Sequence, residues 1–282
     1  MKRVSTVAAL RRELGKLRKN GKTVGLVPTM GALHEGHLTL VRKARAKCDV
    51  VVVSVFVNPL QFGPNEDFAS YPRRLARDAA LLKGCGVDLL FAPTAETFYE
   101  PDHQTMIVSP KVQSMYCGQY RPGHFSGALT VVAKLFFAAQ PDFAFFGKKD
   151  WQQAWLIEKM TRDLNWPIRI VKVPTVRGKD GLALSSRNEY LSEAERAGAP
   201  AIRAALVALE KSFRAGERRV ALLKRNAERT IEKAGGKIQY LEIASCRTLM
   251  PLKALDEEAV VLVAAFFGKT RLIDNIELKN RR

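Results

Sequence analysis

Val50-Val51-Val52-Val53-Ser54-Val55-Phe56-Val57 is almost wholly apolar and dominated by β-branched side chains. A strand with one wet face alternates apolar and polar residues. This one does not, so it reads as buried on both faces, as in a parallel sheet covered by helices on each side. Outward from it the chain alternates. Leu38 to Lys47 reads as a helix and Lys22 to Val27 as a short apolar strand. Ahead of these, Ser5 or Thr6 caps a helix with Leu10, Leu14 and Leu17 at helical spacing, ended by Asn20-Gly21. Downstream, Arg73 to Lys83 reads as helix, Asp88 to Phe91 as strand, Ser126 to Ala139 as an apolar helix and Phe143 to Phe146 as strand. Trp151 to Leu164 follows as helix and Ile168 to Val173 as strand. Strands alternating with helices predict an α/β domain over 1–188, a Rossmann-like doubly wound parallel sheet.

The pattern changes near residue 190. Ser192-Glu193-Ala194-Glu195 is a capping-box sequence opening a basic, helix-rich stretch to about Lys233, interrupted near Ala215-Gly216. Ile238 to Ala244, Ala259 to Phe266 and Leu272 to Leu278 read as strands. A smaller C-terminal α+β domain over 189–282 is expected, abutting the first because no long Gly/Ser linker intervenes. There is no internal repeat and no low-complexity tract.

Of 282 residues, 47% are hydrophobic and 26% charged, the balance of an ordinary globular chain rather than a disordered one. No apolar stretch approaches ~20 residues, so no membrane-spanning helix is expected. Met1-Lys2-Arg3-Val4 is followed by no apolar signal core. Cys48, Cys85, Cys117 and Cys246 are scattered without a C-x-x-C pair and read as reduced thiols of a cytoplasmic protein. The net charge of +18 permits nucleic-acid binding or attraction of small anions. Much of it, as at Arg11, Arg12, Lys16, Arg18 and Lys19, falls on a predicted helix, where a solvated basic face is the plainer reading. A G-x-G-x-x-G fingerprint and a P-loop are both absent.

Doubly wound sheets bind ligands beyond the carboxyl ends of their strands, which singles out 28–37, 58–63, 147–153 and 174–188. In Pro28-Thr29-Met30-Gly31-Ala32-Leu33-His34-Glu35-Gly36-His37 the glycines let backbone approach a ligand, and a helix start favours phosphate. His34 and His37 share one side of the first turn, where imidazole N–H groups can meet phosphate oxygens. The residues alone also allow a plain turn with two surface histidines, or a metal pair lacking a third nearby ligand. Asn58 and Gln61, beyond the buried strand, carry amides that suit a hydroxy acid or the capping of a proline turn. In Gly147-Lys148-Lys149-Asp150-Trp151-Gln152-Gln153, Lys149 offers a charge for phosphate and Asp150 a carboxylate for nucleotide or Mg²⁺. Gln153 lies near Asp150 on the same helix face, and a charged helix start is the alternative. Pro174-Thr175-Val176-Arg177 and Leu184-Ser185-Ser186-Arg187-Asn188 supply hydroxyls and a guanidinium for a triphosphate, or a polar loop capping the next helix.

The H-x-G-H signature at His34–His37 resembles that of the nucleotidyltransferase superfamily. The longer string from Pro28, with the segments at 58–63, 147–153 and 174–188, resembles the pantothenate synthetase (pantoate–β-alanine ligase) family over most of 22–190. Phe266-Phe267-Gly268-Lys269-Thr270-Arg271-Leu272-Ile273-Asp274-Asn275 is also family-like. The resemblance implies an AMP-forming ligase that joins pantoate to β-alanine through pantoyl adenylate, with ATP as substrate and Mg²⁺ assisting. It assigns Met30, Gly31, Ala32, Leu33, His34, Glu35, Gly36, His37, Gly147, Lys148, Lys149, Asp150, Val176, Leu184, Ser185, Ser186 and Arg187 to ATP. Gln61 and Gln153 fall to pantoate, with Asn58 positioning the reactants. His37, His34, Lys149 and Arg187 carry the chemistry, His37 as proton donor or, on an equal footing, as phosphate stabiliser. Lys148 departs from a family position that is often acidic. The resemblance further implies a mobile Ser185–Arg187 loop and a homodimer; with no recognised nucleic-acid motif and no long apolar stretch, neither nucleic acid nor membrane is expected as a partner. Nucleotidyl transfer to another acceptor, and a basic RNA- or DNA-binding module, are the competing readings.

Overall fold

The computed structural model describes residues 1–18, 21–64 and 66–279. In one unit, Met1–Lys148 with Gln153–Pro174, six strands form a parallel sheet. They are β1 (Lys2–Val4), β2 (Val24–Thr29), β3 (Val50–Val55), β4 (Leu89–Phe91), β5 (Phe143–Gly147) and β6 (Arg169–Val173), in the order β1-β4-β3-β2-β5-β6. The valine run is where the sequence puts it. β3 pairs in parallel with β2, Val24 against Val50 through Thr29 against Val55, and with β4 on its other edge. Its residues Val50 to Val53 are buried on both faces.

Two helices, α2 (Glu35–Lys47) and α3 (Leu75–Gly84), cover one face. Leu40, Val41, Ala44 and Leu82 pack there against Val27, Val51, Val53, Leu90 and Phe145. The alternate residues Leu26 and Val52 are buried on the opposite face. There α6 (His124–Ala139) lies on β2 and meets α1 (Val7–Leu17). Two single turns, α4 (Ala95–Phe98) and α5 (Cys117–Tyr120), lie between α3 and α6. A seventh helix, α7 (Trp151–Asp163), joins β5 to β6. Strand order reverses between β2 and β5, and such a reversal opens a crevice at the strand ends. The segments 30–37 and 147–148 leave the sheet at that reversal.

The second unit comprises Lys149–Gln152 and Thr175–Arg282. Its antiparallel sheet runs β7 (Lys237–Ser245), β8 (Ala259–Phe267), β9 (Thr270–Leu278). A short α8 (Glu193–Gly198) precedes α9 (Ala201–Arg214) and α10 (Val220–Lys233). Ile202, Leu206, Leu209 and Phe213 of α9 pack with Leu223 and Ile231 of α10 and with Val261, Val263 and Phe267 of β8. The Ser192 capping box forms.

Three features differ from the sequence reading. β1 is only three residues long and is held by pairing with β4, a partner far along the chain, so no local signal announces it. α2 begins at Glu35 rather than Leu38, because a histidine caps it. The units divide at 174/175 rather than 188/189, with 149–152 joining the second. Residues 176–184 form a narrow hairpin, closed by Leu184 N–H donating to the Val176 carbonyl, and Arg177 is ion-paired to Asp274 of β9 at 2.6 Å.

Candidate active site

The chain leaves β2 through a sharp reversal. Gly31 (φ +88°) and Ala32 (φ +50°) are both left-handed, and a Cβ on Gly31 would sit 3.0 Å from Asp78 Oδ2. Asp78 lies on α3 and is 0% exposed. Its Oδ2 accepts the Ala32 N–H and its Oδ1 the Leu33 N–H, each at 2.9 Å. A buried carboxylate thus holds the reversal closed from beneath.

His34 caps α2: its Nδ1 accepts the Gly36 N–H at 3.1 Å. His37 Nδ1 lies 3.4 Å from the His34 N–H in a longer, reciprocal contact. The ring centroids are 4.1 Å apart. Nδ1 of each ring accepts from the chain, which puts the ring N–H on Nε2. The glycine of the motif has a steric reason. A Cβ at Gly36 would lie 2.8 Å from His34 Cε1 and 2.9 Å from Nδ1. Gly36→Ala should therefore displace the His34 ring while costing the fold little, since alanine raises helix stability by about 0.5–1 kcal/mol. A melting temperature near that of the parent, with turnover reduced about tenfold or more, is expected. Turnover at the parent level would show that the ring's place is unimportant.

Much of this turn's backbone is hydrogen-bonded within the protein. The N–H groups of Gly31, Ala32, Leu33, His34, Gly36 and His37 are taken by Thr29 Oγ1, Asp78, His37 Nδ1, His34 Nδ1 and the His34 carbonyl.

Beyond β3, a 3₁₀ turn at Pro59–Gln61 seats Asn58 and Gln61, which are 1% and 7% exposed. Asn58 Nδ2 donates to Gln61 Oε1 and to the Gly127 carbonyl, both at 3.1 Å. Its Oδ1 accepts from Tyr99 Oη at 2.8 Å and from Leu60 N–H at 3.4 Å. Burial pushes the Tyr99 phenol up, so it stays protonated and donates. All four hydrogen-bonding positions of Asn58 are filled within the protein, one of them by Gln61. Gln61 Nε2 donates to Met30 Sδ at 3.0 Å, which leaves one amide hydrogen and one lone pair beyond these bonds. The close seat of α6 requires Gly127, where a Cβ would fall 2.0 Å from the Leu60 carbonyl oxygen.

A second set of groups holds the Gln61 backbone. Arg121 clasps Glu66 through two bonds of 2.6 and 2.5 Å and donates to His124 Nε2 at 2.9 Å. Arginine only donates, so His124 carries its proton on Nδ1 and gives it to the Gln61 carbonyl, 2.7 Å away. Burial disfavours the Glu66 carboxylate, but the Arg121 bonds outweigh it and hold the group below its ordinary 4.5. A carboxyl with a lowered folded pKa stabilises above its unfolded pKa, and that contribution fades as pH falls through the folded value. Melting curves from pH 6 down to about 3 should show Glu66→Gln losing less stability than the parent; parallel curves would contradict this ion pair's contribution.

At the end of β5, a Cβ on Gly147 would meet no protein atom within 4 Å, so its backbone stands open to approach. Lys148 follows, half-buried, and Gln153 is half-buried on the first turn of α7. Within the second unit, Lys149 Nζ lies 3.5 Å from Asp150 Oδ1. The 176–184 hairpin leads through Leu184 into a 3₁₀ turn at Ser186–Tyr190, where Ser185 Oγ accepts the Arg187 N–H at 3.3 Å.

The sequence profile described as pantoate-beta-alanine ligase matches residues 2–277. The chain belongs to this family. It is 50% identical over 280 residues to pantothenate synthetase of Pseudomonas savastanoi pv. phaseolicola, covering 99% of each chain. To that of Moorella thermoacetica it is 48% identical, also over 99% of each. The crystal structure of pantothenate synthetase from Thermus thermophilus superposes with a TM-score of 0.94 at 48% identity, covering 99% of this chain and all of the other. Pantoate-beta-alanine ligase from Francisella tularensis, solved with beta-gamma ATP and beta-alanine, gives 0.81 at 34% identity, covering 100% of this chain and 99% of that one.

In this pantoate–β-alanine ligase fold, the first unit links Met30, Asn58 and Gln61 beyond the ends of β2 and β3 and seats His34 and His37 at the start of α2. Asp78, Tyr99, Arg121, His124 and Glu66, which support them, are absent from the sequence reading. Asp78 left one signal: an acid at i, i+4 from Leu82 on the buried side of α3 must have a partner. Arg121 and Glu66 left none, because their partnership spans 55 residues.

Proposed function

We propose that this chain makes pantothenate from pantoate and β-alanine in two steps. A pantoate carboxylate oxygen attacks the α-phosphorus of ATP; the bond to the β-phosphate breaks and pyrophosphate leaves with its electron pair. The β-alanine amine then attacks the acyl carbon of pantoyl adenylate. The new amide forms, the acyl–phosphate bond breaks, AMP departs, and the nitrogen loses a proton. Adenylation is needed because a carboxylate lacks a usable leaving group.

One observation carries the reading. Two imidazoles at the strand-order reversal have Nδ1 accepting from the chain, which puts the ring N–H on Nε2. N–H donors in a fixed frame suit charge that grows on phosphate oxygens during attack. Lys149, Ser185, Ser186 and Arg187 are assigned to the same phosphates, and Gln61 and Gln153 to pantoate. Among the described residues no cluster of three His, Cys, Asp or Glu could hold a metal. Mg²⁺ that arrives on the nucleotide needs only one or two protein carboxylates beside the phosphates. Asp150 would supply one, and the ion would neutralise phosphate charge.

Pyrophosphate exchange into ATP, with Mg²⁺ and pantoate but without β-alanine, tests the first step. Pantoate-dependent exchange is expected. No exchange from folded protein, and no AMP when β-alanine is added, would move the chain to nucleotidyl transfer on another acceptor. A homodimer in the cytoplasm is proposed, the dimer from the family; a solution mass of one chain would refute the dimer. Among the described residues no helix is long and apolar enough to cross a membrane.

A further inference from the structure

The family-like string at 266–275 has no part in the chemistry so far. It ends in β9 on two consecutive buried polar residues, Asp274 and Asn275, 5% and 7% exposed. Consecutive strand residues point to opposite faces. On one face Asp274 takes Arg177 in a two-pronged pair, 2.6 and 2.9 Å, and Arg177 also donates to the Gly181 carbonyl at 3.1 Å. This fastens the hairpin that carries Leu184 and Ser185–Arg187. On the other face Asn275 Nδ2 donates to the Lys149 carbonyl at 3.0 Å. Two residues on, Glu277 accepts from Trp151 Nε1 at 3.2 Å. Asp274 Oδ1 also accepts the Asn275 N–H at 2.8 Å, so the two anchors share one carboxylate. All of these residues lie in the second unit.

We propose that Asp274 and Asn275 are positioning residues for the adenylation step: from one strand they set Lys149 and the Ser185–Arg187 segment at a fixed mutual distance. This rests on the reading that both segments serve ATP phosphates. Neither residue need touch the nucleotide. Misplacing a phosphate-binding charge by about 1 Å can cost on the order of a hundredfold in rate.

The test is pantoate-dependent pyrophosphate exchange in Asn275→Leu, with Asn275→Ala as a second variant should the first not fold. Each is also combined with Lys149→Ala, and folding is checked by thermal melting. If Asn275 acts through Lys149, the single change lowers kcat/KM for ATP about 10- to 100-fold and leaves KM for pantoate within about twofold. In the Lys149→Ala background the further loss shrinks to less than about threefold. A full, additive loss in that background, or parent-level exchange in folded Asn275→Leu, overturns the proposal and leaves the ligase reading standing. Parent-level exchange in Lys149→Ala alone removes the ATP role of Lys149 and the proposal with it. Absence of exchange in the unsubstituted chain overturns the ligase reading itself.

Discussion

His37→Ala is expected to lower pantoate-dependent exchange by about 10²–10³-fold while the protein melts within a few degrees of the parent. The small stability cost follows from geometry: the His37 Nδ1 contact is long at 3.4 Å, and His34 supplies the shorter cap of α2. The large catalytic cost follows from the loss of an aimed N–H donor where phosphate charge develops. His37→Gln separates the two descriptions of the residue. A glutamine amide donates a hydrogen bond but does not hand over its proton. Partial recovery with glutamine supports electrostatic stabilisation, and none supports proton donation. Near-normal turnover in folded His37→Ala would remove His37 from the mechanism altogether.

Asp78→Asn should damage the fold and the chemistry together. The substitution keeps the shape of the side chain, but it turns one acceptor toward Ala32 or Leu33 into an NH₂ group facing an N–H. One buried amide then loses its partner, and the other loses a charged one. A stability loss of about 2–4 kcal/mol is expected. Turnover should fall well below the melting transition as well, because the reversal that delivers His34 and His37 to their places would open. Asp78→Ala should be at least as severe. Urea titration and exchange assays on the same preparations check both effects; unchanged urea midpoints would show that the carboxylate is dispensable.

Local pattern carried much of this molecule. The valine run at 50–57, the helix over 151–163 and the Ser192 box each declare themselves within a few residues, because periodicity and capping are short-range properties. The strand-end rule then directed attention to residues near the sheet's reversal. What stayed hidden depends on distance along the chain. Asp78 meets residues 45 and 46 positions earlier, and Asn275 reaches Lys149 across 126. The sequence also named Asn58 as a group near substrate but could not show that its own capacity is spent within the protein. The H-x-G-H glycine was readable as a sign of close approach, and within the protein the group that approaches it is the His34 imidazole.

The saturated amide of Asn58 has a thermodynamic consequence. A glutamine side chain in water samples many rotamers, and fixing it costs about 1.5–2 kcal/mol. In this protein Gln61 is already fixed. The Gly127 carbonyl can only accept and the Tyr99 hydroxyl donates, so Asn58 has one allowed orientation; that orientation dictates which end of Gln61 is oxygen and which is nitrogen. The freezing is done once, when the chain folds, and not at each turnover. Under the proposed assignment of Gln61 to pantoate, a ligand with few atoms to offer would meet a hand already set in its grip.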